Sequence, residues 1–126
     1  MKMTDDDKAI RLADLEVKRN RTLADLDTVQ EARRSIRRSM EGYLARHDAL
    51  MQQYANELSE AGQTDDALER IADEWNSVLS TSTAEFGRMV AEWERAQLQE
   101  QILVKMMRNL DREIEALKEA LREPSG

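Results

Sequence analysis

The chain has 126 residues, of which 40% are apolar, 36% charged and 4% aromatic, with one Pro, four Gly and no Cys. That composition fits one helix-rich domain, excludes a disulfide framework and thiol chemistry, and leaves only a thin apolar core to build on. The net charge of −7 is uneven: residues 1–58 hold 11 basic and 11 acidic side chains, whereas residues 59–126 hold 8 against 15. An acidic second half repels phosphate backbones, so nucleic acid is not an expected partner.

The N-terminal stretch from Met1 to Asp7 lacks the apolar run of a cleaved secretory signal. Nothing in the chain approaches the roughly 18 consecutive apolar residues of a membrane span. The expectation is a cytoplasmic protein with no membrane insertion, and co-export by a route that uses no cleaved signal stays open.

The first element is a helix over about 5–58. Thr4 is a good N-cap, and Asp5, Asp6 and Asp7 place carboxylates in the first turn, where the helix dipole favours them. A break follows at about 59–65. Gly62 can take the left-handed conformation that ends a helix, and Thr64 or Asp65 can cap the next one. The second helix runs over about 66–122 and stops before Pro124-Ser125-Gly126, a tail expected to fray. Two helices of nearly equal length joined by a short turn form an antiparallel hairpin. Each arm, at 1.5 Å per residue, is about 80 Å long, so the expected object is an all-α rod.

One heptad frame runs through each helix without a stutter. In the first, the a positions are Leu12, Arg19, Leu26, Arg33, Met40, His47 and Tyr54, and the d positions are Leu15, Thr22, Val29, Ile36, Tyr43 and Leu50. In the second, the d positions are Leu68, Trp75, Ser82, Met89, Ala96, Leu103, Leu110 and Leu117. Its a positions are Ala72, Leu79, Phe86, Trp93, Glu100, Met107, Ile114 and Leu121. A strict seven-residue repeat implies a left-handed coiled coil.

The apolar stripe is wider than this seam. Leu23, Leu44, Met51 and Leu58 fall at e in the first helix. Ile71 and Val78 fall at g in the second, with Val90 and Val104 at e. A stripe of that width suits a bundle of three or more helices. The expectation is that Leu44, Met51, Leu58, Ile71, Val78 and Val90 meet a helical protein partner or a second copy of the chain. Alternatively, they only broaden the hairpin's own contact.

No catalytic set stands out, and no cofactor, metal or small-molecule ligand is expected. His47 is the sole histidine and lies in the seam, with no second imidazole or thiol to share a metal. The Glu-x-x-His motif of dinuclear bundle sites is absent. Arg33, Arg34, Arg37 and Arg38 form either a patch for an acidic partner or a solvated face balanced by Glu31 and Glu41. If Leu58 faces Leu68 across the turn, Arg33 falls opposite Trp93, where a guanidinium can lie over an indole face, and Met40 falls near Phe86. Trp75, Phe86 and Trp93 read as core, or as an interface hot spot if the chain assembles.

In architecture, and in the local pattern Asp73-Glu74-Trp75 with Ala84-Glu85-Phe86, the chain resembles small helical-hairpin accessory proteins of bacterial secretion. One match in form is the WXG-like partners and targeting chaperones of LXG toxins in type VII secretion. The resemblance implies a non-catalytic adaptor or chaperone that packs against a helical segment of an exported protein. No Trp-x-Gly is present, since Trp75 precedes Asn76-Ser77 and Trp93 precedes Glu94-Arg95. The form is also similar to the stalk or escort proteins of flagellar and type III export. A self-associating structural coiled coil is the remaining alternative.

Overall fold

A computed structural model describes residues 3–62 and 64–123. It contains two helices, α1 (Asp5–Glu60) and α2 (Asp65–Arg122), packed on one another as an all-α helical hairpin. Relative to the sequence expectation, α1 continues two residues further and α2 starts one residue earlier. Gln63 and the expected frayed tail at 124–126 lie outside the described residues.

Local chemistry accounts for both helix starts and for the break. The Asp7 amide donates to Thr4 Oγ1 at 3.1 Å, and the Thr4 amide donates to Asp7 Oδ2 at 3.3 Å. This is a reciprocal cap with aspartate in the place usually held by Glu or Gln. The first helical bond runs from the Lys8 amide to the Thr4 carbonyl at 3.0 Å. At the other end of α1, the Ala61 amide still reaches the Glu57 carbonyl at 3.0 Å, and Gly62 then turns the chain with φ +72°. Only glycine adopts that angle without steric cost. α2 is entered through the Thr64 carbonyl, which accepts from the Leu68 amide at 3.1 Å.

The heptad frames describe the packing. Every a and d position named above is buried or half-buried, and the fully exposed residues fall between them. The chain divides into two compact units, each with its own part of the seam. One combines residues up to Ala32 with those from Ala96 onward. Its buried side chains are Leu15, Thr22, Val29, Ala96, Leu103 and Ile114. Thr22 is tolerated there because its hydroxyl donates to the Lys18 carbonyl at 2.9 Å. On its surface Arg19 Nε donates to Asp111 at 2.6 Å, and Arg11 pairs with Asp14 and Glu113.

The other unit, Arg33–Arg95, contains the turn. Its seam interleaves rings with aliphatic side chains such as Ile36, Leu50 and Leu79. Tyr43 stacks on Phe86 with centroids 4.8 Å apart and on His47 at 5.8 Å, and Tyr54 meets Trp75 edge-on at 5.4 Å. Aromatic pairs at these separations add to simple area burial. Tyr43, about one turn from Met40 along α1, is the ring that stacks on Phe86. Tyr43 offers a flat face of matching size and a hydroxyl that accepts from Ser82 Oγ at 2.8 Å.

Candidate functional site: two edges of the turn-bearing unit

Trp75, Phe86 and Trp93 are built into the hairpin's own seam. Trp75 is buried, and its indole Nε1 donates to Glu57 Oε2 at 2.6 Å. The Arg33 guanidinium lies 5.3 Å from the Trp93 ring centroid, as the register counted from the turn requires. These contacts use the aromatic faces inside the chain. Within the chain the rings meet Glu57, Tyr43, Tyr54 and Arg33, the arrangement that the core reading describes.

The six residues expected to form one partner-binding flank do not form one surface. In an antiparallel pair, like-lettered flanking positions share an edge, e beside e and g beside g. Leu44, Met51, Leu58 and Val90 are e residues and lie along one edge, whereas Ile71 and Val78 are g residues and lie along the other. Burial divides them further. Leu58, Ile71 and Val90 are half-buried, so the hairpin already covers much of them. Leu44 keeps 48%, Met51 40% and Val78 44% of their surface open. The e and g letters assign each residue to its edge, but they did not say how much of each side chain the hairpin itself covers.

The g edge is a groove. Adjoining clefts of about 640, 440 and 380 Å³ run along it within this unit. Tyr43, Leu50 and Ser82 form part of its lining in the first, and Ser35, Ser39 and Gly42 open it further along. Small residues, among them Ser35, Ser39, Gly42 and Ala49, line it beside longer ones. Arg46 and Glu85 border it, and the Arg46 side chain folds back over Gly42, 3.5 Å from where a methyl group at that glycine would sit. The e edge is different: Leu44 and Met51 project from α1 beside a stretch of α2 that carries Asn76, Ser80, Thr83 and Gly87. A methyl group placed on Gly87 would meet nothing within 4 Å.

The arginine cluster is dispersed. Arg33 belongs to the seam, Arg37 pairs with Glu41 at 3.4 Å on the surface, and Arg34 and Arg38 each take part in further interactions. His47 Nδ1 is buried without a hydrogen-bond partner among the described residues, and the ring's role is its stack on Tyr43. Among the described residues, no group of three or more Asp, Glu or His side chains is placed to hold a metal ion. No helix among them is long and apolar enough to cross a membrane.

One exposed apolar stripe escaped the sequence reading. In the other unit, Leu98, Ile102 and Met106 stand at 61%, 54% and 45% exposure. Their i, i+4, i+8 spacing was legible, but Leu98 at f and Ile102 at c sit outside the a, d, e and g positions that drew attention, and only Met106, at g, falls within them. Comparison with protein-family models, curated proteins and solved structures finds no match to this chain.

Proposed function

We propose that the chain is a non-catalytic protein-binding module that docks a helical partner along the outer edge of the turn-bearing unit. The observation that carries this reading is the open surface of Leu44 and Met51. They stand seven residues apart on one helix edge while every seam position is already covered within the chain. Residues at that spacing present one continuous ridge to a neighbouring helix, and covering it completes a bundle. A targeting chaperone of an exported protein, the role suggested by the resemblance to secretion accessory proteins, is a special case in which the docked helix belongs to the cargo.

The test is capture and reconstitution. Tagged wild-type chain and a Leu44→Asp/Met51→Asp variant are compared for proteins retained from the source cell, and any retained protein is purified and rebound. The variant is expected to keep its helical circular dichroism and lose the partner. Equal retention by both chains would falsify the proposal.

A further inference from the structure

We propose that the outward face of α1 between Asp6 and Asn20 packs against the outward face of α2 between Leu98 and Arg112 of a second copy of this chain, antiparallel and head to tail. Both faces belong to the unit without the turn, so the contact stands apart from the Leu44–Met51 edge.

The two faces are opposite in charge. Heptad positions b, c and f point away from the seam. The seven such positions from Asp6 to Asn20 include Asp6, Asp7 and Asp14 and no cation, and all are exposed. The seven from Leu98 to Arg112 include Lys105, Arg108 and Arg112 and no carboxylate, and all are exposed. The charges of opposite sign that flank each face are already engaged within the chain. Lys8 pairs with Asp5, Arg11 and Lys18 with Asp14, and Arg19 with Asp111, while Glu100 takes part in an interaction of its own. Lys105, Arg108 and Arg112 make no ion pair among the described residues. Asp14 is occupied by the α1 cations, so Asp6 and Asp7 carry most of the open negative charge. Each face also holds open apolar surface. Ile10, Leu98 and Ile102 are the most exposed large apolar side chains among the described residues, and Val17 joins Ile10 on α1. Burying them supplies attraction that surface charges alone do not.

Orientation follows from where the charges lie along each run, which is about 21 Å long at 1.5 Å per residue. The open carboxylates gather at the start of the α1 run and the cations toward the end of the α2 run, so the two helices meet antiparallel. Setting Val17 level with Leu98 brings Ala13 level with Ile102 and Asp7 level with Arg108. Ile10 and Val17 then straddle Ile102, and the small Ala13 leaves room for it. Asp6 and Asp7 come to lie among Lys105, Arg108 and Arg112, which favours association. Arg21, the next outward residue of α1, falls beyond Leu98 and away from those cations; parallel packing would set it beside Arg112. Because the two faces differ, each copy can hold one neighbour through α1 and another through α2. Such a heterologous contact carries association past two copies.

Two variants, each with one face disabled, test the head-to-tail arrangement. Asp6→Lys/Ile10→Lys disables the α1 face, and Leu98→Lys/Ile102→Lys disables the α2 face. The two disabled faces are both cationic, so they do not pair with each other. Sedimentation of the wild-type chain across roughly 5 µM to 1 mM is expected to show species that grow beyond the dimer and shrink in high salt. Each variant alone is expected to stay monomeric. An equimolar mixture of the two keeps one working α1 face and one working α2 face, and is expected to form a heterodimer that does not grow. Circular dichroism of each variant checks that the helices persist.

A wild-type chain that is monomeric throughout that range overturns the inference. So does a wild type that stops at the dimer, or a mixture that sediments as its separate components. Leu44→Asp/Met51→Asp is expected to associate as the wild type does. Loss of association in that variant would assign the contact to the other edge and overturn the inference.

Discussion

Trp75 shows how much one residue of this seam carries. Its ring is buried against Tyr54 and its indole nitrogen is satisfied by the Glu57 carboxylate at 2.6 Å, which lets a large polar-tipped side chain occupy a d position near the turn. Trp75→Phe keeps most of the ring packing and removes the donor, leaving the half-buried Glu57 carboxylate without that partner. A hydrogen bond to a charged group is worth about 1.5–3 kcal/mol net. Glu57 is partly solvated, so the expected cost is at the lower end, readable as a lower urea midpoint at unchanged slope. Gly62 is the second sensitive residue. Its φ of +72° strains any residue with a Cβ, although there is open space for the methyl group itself. Gly62→Ala should therefore cost about 1–2 kcal/mol, and a variant as stable as the parent in the same titration would show that the turn can adopt another path.

At the scale of the helix, a heptad frame makes a sharp distinction between residues of similar chemistry. Leu15 at d is 1% exposed, whereas Ile10 at f is 70% exposed. Leu15→Ala should cost about 2–5 kcal/mol because it opens a cavity in a closed seam, and Ile10→Ala should change stability by less than about 0.5 kcal/mol. Equal costs in thermal or urea unfolding would contradict the frame. The start of α1 offers another test. Thr4→Ala removes the acceptor for the Asp7 amide, so a loss of about 1 kcal/mol should appear as faster amide exchange confined to the first turn. Both effects were foreseeable from the sequence, since capping and seven-residue periodicity are local rules. The partner of each seam residue was less so. Arg33 and Trp93 follow from counting back from the turn, but that count did not foresee the stack of Tyr43 on Phe86 or its hydrogen bond with Ser82.

At the scale of the molecule, helix pairing leaves apolar surface uncovered. If the outward faces of α1 and α2 associate between copies, unfolding is coupled to dissociation and the thermal midpoint must rise with protein concentration. Leu98→Lys/Ile102→Lys should abolish that dependence while leaving the midpoint of the dilute chain nearly unchanged, since both residues are largely open to solvent. A concentration-independent midpoint in the wild type would argue against self-association. The division into two units, each with its own buried side chains, was not foreseen, because an uninterrupted seven-residue repeat contains no local signal of such a boundary.

The sequence by itself determined that there are two helices, where they start and stop, and which positions face the seam. Each of those follows from interactions within a few residues along the chain: a cap, a glycine with positive φ, an apolar repeat. Only the tertiary structure decided how the flanking apolar residues are shared out. A flanking letter does not say how much of a side chain the opposite helix covers. Leu58, Ile71 and Val90 are half-closed, while Leu44, Met51 and Val78 remain open. The aromatic residues were legible as seam residues from their a and d positions, whereas the exposure of Leu44 and Met51 beside the small residues of α2 was visible only once the two helices were packed.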